Sequence, residues 1–194
     1  MKLNILGWIL TYNITPYKEP PMIRSLIILL VLLITSFAQE KTSGKLEVGT
    51  QASEWIFPDA DGKYFTMDFW RGKILLINYV DPDVFEMIEP FNDEVNRLFS
   101  RDKCDGLAIV DCKATWIPNF LIRKVAAAKA NKFKTEILFD YDTKLIKSWG
   151  LKENSNNVII LDKDRVCRAI VRGNITEKKQ KELIQLIIDL QNEL

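Results

Sequence analysis

The sequence predicts an α/β domain built on a mixed central sheet with helices on both faces. Apolar runs of strand length occur at residues 74–80 and 107–110, the pattern of strands covered on both sides, and a further short strand is read at 136–140. Segments with helical apolar spacing lie between them. A hairpin and a closing amphipathic helix follow, so the sheet cannot be wholly parallel.

The elements can be justified in chain order. "VGTQASEWIFPDADGKYFTMDFWRGK" holds a turn at Asp59–Gly62 between two short aromatic-rich strands, then a loop closed by Gly72. "ILLINYV" is the first buried strand. "DVFEMIEPFNDEVNRLF" carries apolar residues at 84, 85, 87, 88, 91, 95, 98 and 99 and reads as a helix over 83–99 with Pro90 inside it. Asp83 with Glu86 three residues on forms its start signal. "LAIV" is the next strand, and "IPNFLIRKVAAAKANKF" a helix with Pro118 near its first turn. "EILFD" is a short strand and "DTKLIKSWGL" a short helix ended by Gly150. "NNVIILDKDRVCRAIVRG" is a hairpin joined at Asp162–Arg165. "TEKKQKELIQLIIDLQNEL" is an amphipathic helix starting at Thr176.

The chain has 194 residues, a length that suits one domain with an appendage. The strongest apolar run, "LIILLVLLITSFA" (26–38), covers only about 20 Å as a helix, against the ~20 residues a bilayer span needs. Arg24 precedes it, and Ser36-Phe37-Ala38 has small residues at both recognition positions of a cleavage site. Residues 22–38 therefore read as a secretory signal cut after Ala38, giving a periplasmic or secreted protein with no membrane attachment in its mature form. A retained membrane anchor is the rival reading. Residues 1–21 are a doubtful extension, since Met22 would make a conventional start. Residues 39–46, "QEKTSGKL", read as a mobile leader, and 47–194 as the folded domain.

Composition excludes several functions. Three of the 27 basic and one of the 26 acidic residues precede Gln39, so the remainder carries a formal net charge of −1. Such a chain has no overall electrostatic footprint for nucleic acid, and the basic run Arg123, Lys124, Lys129, Lys132, Lys134 reads as a solvated helix face. The sequence contains no histidine, which removes the usual general base, the usual metal ligand and Ser-His or Cys-His nucleophiles. No P-loop, Gly-x-Gly-x-x-Gly or Cys-x-x-Cys spacing occurs. No metal and no cofactor is expected. Cys104 and Cys112 flank a predicted strand and stand roughly 26 Å apart at ~3.3 Å per step, against a ~7 Å limit for a disulfide, so no intrachain bridge is expected. Cys167 shares an alternation face with Ala169 and Val171 and reads as core. Cys104 reads as part of a helix-to-strand loop.

The order of elements resembles the thioredoxin-like superfamily, in the variant with extra N-terminal strands seen in exported thiol-disulfide reductases. "VGTQASEWIFPDADGKYFTMDFWRGKILLINYV", "FEMIEPFNDEV" and "VIILDKDRV…VRG" carry the resemblance, from about residue 47 onward. "IVDCKATWIPNF" and the tail "NNVIILDKDRVCRAIVRGNITEKKQKELIQLI" are similar to the YtfJ family, exported thioredoxin-like proteins of uncharacterised function. The resemblance implies a three-layer thioredoxin-like fold. It also implies where a redox site would stand. The attacking and partner cysteines, counted back from Pro90, fall at Pro82 and Phe85, and the cis-proline position falls at Asn156. Neither Pro82 nor Phe85 can form the thiolate that disulfide exchange requires.

The expected function is thus a non-catalytic, non-redox module that binds a peptide or envelope protein. Asp81, Asp83, Cys112, Trp116 and Asn156 are its binding candidates. Asp83 and Glu86 are read as caps; the alternative is a cation site made with Asp81 and Glu89. Cys112, at the C-terminal end of a parallel strand, supports a rival: a single-cysteine thiol enzyme, either a peroxidase or a mixed-disulfide acceptor. Of the tryptophans, Trp55, Trp70 and Trp149 read as core, and Trp116 as the exception beside Cys112.

Overall fold

The computed structural model describes residues 44–193. The predicted extension, the signal segment and most of the leader lie outside them. The last leader residue, Leu46, is buried, and its N–H donates to the Trp149 carbonyl, so the ordered domain starts slightly earlier than expected.

Ile74–Val80 (β3) is the centre of the molecule, and all seven of its residues are buried. It pairs in parallel with Cys104–Asp111 (β4), which pairs in parallel with Glu136–Asp140 (β5). On its other side it pairs antiparallel with Asn157–Leu161 (β6), itself antiparallel to Cys167–Arg172 (β7). The five-stranded order is therefore β5-β4-β3-β6-β7. A separate antiparallel pair, Ile56–Pro58 (β1) and Tyr64–Thr66 (β2), precedes it and leads into a 3₁₀ turn at Met67–Trp70.

Period-2 alternation sends the β3 side chains to two different cores. Ile74, Leu76 and Val80 meet helices Glu89–Leu98 (α1), Asn119–Phe133 (α2) and Glu177–Asn192 (α4). Leu75, Ile77 and Tyr79 meet the β1–β2 unit and helix Lys144–Trp149 (α3), where Trp55, Trp70 and Trp149 are buried as expected. Helices thus cover both faces of a mixed sheet, and the predicted hairpin is β6–β7.

Three local expectations are corrected. The helix predicted over 83–99 begins as α-helix only at Glu89, with a 3₁₀ turn at Phe85–Ile88 before it. Pro90 is the reason: a proline fits the first helical turn but clashes with the carbonyl four residues back in an interior. Cys104 is the first residue of β4 and buried, rather than part of a loop. Cys167 is core, but it packs with Leu161 on the face opposite Ala169. The register shifts between Ile160 and Leu161, and such a bulge breaks simple alternation.

Arg165, at the hairpin turn, has φ +67° and is buried. Its guanidinium donates to the carbonyls of Lys73 at 2.9 Å and Met67 at 3.3 Å, tying the turn to the start of β3. Thr176 caps α4 as expected, its Oγ1 accepting from the Lys179 N–H at 3.3 Å. Gly150 ends α3 with φ +61°, and a Cβ there would stand 2.6 Å from Lys45 Cγ. Gly150→Ala should therefore cost more than the ~1 kcal/mol of an unhindered left-handed position; urea unfolding of the two proteins measures the difference.

Candidate functional site

The C-terminal ends of the three parallel strands build one rim of the molecule, and an aspartate closes each. Asp81 follows β3, Asp111 ends β4 and Asp140 ends β5. Each Oδ1 accepts the backbone N–H two residues on: Asp83 at 2.8 Å, Lys113 at 3.0 Å and Asp142 at 3.1 Å. These are Asx turns, which bend the chain out of a buried strand without leaving that N–H unpaired. All three carboxylates are buried. Asp140 Oδ2 also accepts from the Leu145 N–H at 3.0 Å and from Tyr79 Oη at 3.2 Å. Burial, the nearby Asp140 and Asp81 charges and Glu153 push the Asp111 carboxyl above its ordinary value, against the Lys113 hydrogen bond. Burial likewise raises Asp81.

Asp81 is therefore a turn former. Asp83 does not cap a helix as expected; neither the 3₁₀ turn nor α1 has a side-chain cap. The turn at Asp81 aims the Asp83 side chain away from the helix start, and its Oδ1 accepts from Thr115 Oγ1 at 3.0 Å, tying the corner after β3 to the loop after β4. Glu89 pairs with Lys129 Nζ at 2.7 Å, while Glu86 is exposed. Among the described residues no group of three His, Cys, Asp or Glu is arranged to hold a metal ion.

At the positions where a redox relative would carry sulfur stand Pro82 and Phe85, both half-buried. Lys129 Nζ lies 3.8 Å from the centre of the Phe85 ring while also bonded to Glu89, so one cation from α2 holds both residues of the corner. Asn156 fills the cis-proline position. It is buried, and its Nδ2 donates to the Val84 carbonyl at 2.9 Å, pinning the corner from the opposite side.

Cys112 is buried beyond the end of β4. Its N–H donates to the Asp140 carbonyl at 3.1 Å, which ties it to the β5 side. Burial and the Asp111 and Asp140 charges push its thiol up to about 12, with Arg123 opposing them. Cys104 is pushed up to about 12 and Cys167 to about 11, burial being the largest cause in each case. All three thiols are free.

Of the binding candidates, then, Asp81, Cys112 and Asn156 are interior, and only Asp83 and Trp116 face solvent. Trp116 is 90% exposed. The next residue, Ile117, lines a surface that sequence reasoning missed. A groove of about 140 Å³ runs between the corner and α2, lined by Pro82 and Phe85 on one wall and Leu121, Val125 and Lys129 on the other. Phe120 and Val125 are 62% and 58% exposed. A signal existed: α2 is apolar at 120, 121, 122, 125 and 126, wider than the stripe that one sheet contact needs, and only Ile122 and Ala126 are buried.

Searches against family models and against curated proteins find no match. Solved structures do match. A provisionally assigned thiol:disulfide interchange protein DsbE of Chlorobium tepidum aligns over 76% of this chain and 99% of its own, with 13% identity and a TM-score of 0.56. The C-terminal domain of a provisionally assigned thiol-disulfide oxidoreductase of Bacteroides thetaiotaomicron aligns over 75% and 99%, with 20% identity and a TM-score of 0.57. A thiol peroxidase of Chromobacterium violaceum aligns over 78% and 91%, with 9% identity and a TM-score of 0.59.

The fold is thioredoxin-like. At these identities the likeness concerns architecture alone, and thioredoxin-like proteins with different activities share it. Among the described residues no helix is long and apolar enough to cross a membrane.

Two measurements follow from the site. A carboxyl raised in the folded state binds protons more tightly there than when unfolded. It therefore lowers stability as pH rises from the unfolded value toward the folded one, and the penalty persists above. Asp111→Asn keeps the turn acceptor and removes the charge, so it should stabilise the protein at pH 7. Urea unfolding at pH 7 and near pH 3 should show that gain shrinking in acid. Second, the native protein should resist a thiol-specific chromogenic reagent at pH 7 and expose its thiols only in denaturant.

Proposed function

We propose that this protein is an exported, non-redox thioredoxin-like module that binds a peptide or an envelope protein, in the manner of a YtfJ-like protein. One observation supports this above the rest: the corner holds no cysteine and is flanked by an open apolar groove. Thiol-disulfide exchange begins with a thiolate attacking a sulfur. Pro82 and Phe85 cannot supply one, and each cysteine is buried in surroundings that disfavour its charged form. The groove, by contrast, offers apolar side chains such as Leu121 and Val125 to solvent. Export is read from residues 22–38.

The purified protein should fail to accelerate insulin precipitation in dithiothreitol. Turnover that disappears in Cys112→Ser would restore the thiol-enzyme reading in its place.

A further inference from the structure

We infer that Met87 is a site of oxidative modification: a peroxide transfers oxygen to its thioether sulfur, in the 3₁₀ turn that Phe85 begins. This does not depend on the binding-module reading above.

Met87 owes its exposure to the turn in which it stands. In a 3₁₀ turn, side chains three positions apart eclipse one another. Over Phe85–Ile88 the eclipsed pair is Phe85, half-buried, and Ile88, buried, so Glu86 and Met87 are left on the outer side. Met87 is 55% exposed. A continuous α-helix over 83–99 would instead set Met87 one turn before the buried Phe91, along the same stripe. The change of helix type ahead of Pro90 is what turns this sulfur outward.

The other sulfurs of the described residues are closed to an oxidant in solution. Met67 is buried in the 3₁₀ turn before β3. Cys104, Cys112 and Cys167 are buried too, and attack on a peroxide needs a thiolate, the form that their surroundings disfavour. A thioether has no proton to lose, so access decides its reactivity. Hydrogen peroxide is uncharged, and the nearby carboxylates of Asp83 and Glu86 do not repel it.

In the reaction, a sulfur lone pair attacks one peroxide oxygen and the O–O bond breaks. Sulfur is oxidised by two electrons to the sulfoxide and the peroxide is reduced. The proton of the transferred hydroxyl passes to the departing oxygen, which leaves as water. The product is a polar, chiral side chain on a surface that already faces solvent, so the fold is kept. Methionine sulfoxide reductases return it to the thioether.

The test treats the full chain with hydrogen peroxide at pH 7, then maps the digested protein by mass spectrometry at set times. Thiols are counted in denaturant on the same samples, and circular dichroism follows the fold. Met1 and Met22, outside the described residues, are read in their own peptides. Met87 should gain one oxygen at a rate within about tenfold of a synthetic peptide of the same segment, and Met67 at least about tenfold more slowly than Met87. All three thiols should still be countable when Met87 is fully oxidised. In guanidinium the two methionines should react alike.

A gap between Met67 and Met87 of less than about tenfold in the folded chain, or a Met87 that lags its peptide by more, would overturn the proposal. Loss of a thiol ahead of Met87 would overturn it too and favour the single-cysteine reading. Insulin reduction by the same protein would refute the module reading and leave the assignment of Met87 standing.

Discussion

Burial of β3 on both faces is the constraint from which the rest of the architecture follows. A strand with Leu75, Ile77 and Tyr79 on one side and Ile74, Leu76 and Val80 on the other needs two separate covers. Parallel neighbours at β4 and β5 require crossovers, and α1 and α2 supply them on one face. The other face is closed by α3 and by the N-terminal strands with their tryptophans. Where β3 ends, the chain must leave a fully buried ladder in one step. Asp81 makes that step, and Asp111 and Asp140 repeat it on the next two strands.

The rim made in this way carries Pro82 and Phe85, the positions at which the thioredoxin-like resemblance puts the paired cysteines. In this chain the interactions there are of a different kind. Phe85 is clamped by Lys129, Asn156 is bonded inward to Val84, and Asp83 is bonded to Thr115. Each contact joins the corner to a different part of the chain. The buried carboxylates of the rim, Asp81, Asp111 and Asp140, are already committed to backbone N–H donors. What faces outward is apolar surface on a cationic helix.

Fold class was legible because it rests on short-range patterns. Apolar runs, helical spacing, Gly150 after α3 and Thr176 before α4 are local instructions, and neighbouring residues suffice to read them. Replacement of the two sulfurs was equally legible, since counting from Pro90 needs no coordinates. The boundary of α1 was not placed, although the reason lay in the sequence, because a proline at a first turn and one in a kinked interior look alike without the flanking geometry. The face of Cys167 was misread because a bulge depends on how two strands settle their register.

The candidate site divides along the same line. By itself the sequence determined that no histidine and no Cys-x-x-Cys pair is available, while the apolar residues of α2 were there to be read. Only the tertiary structure decided which of those residues stay outside. It drew Asp81, Cys112 and Asn156 inward, left Trp116 exposed, and left Leu121 and Val125 beside Phe85, from a segment more than thirty positions away. The physical reason is that exposure belongs to the packed arrangement. A side chain is solvent-facing when no other element covers it, and residue type alone does not say which element will arrive.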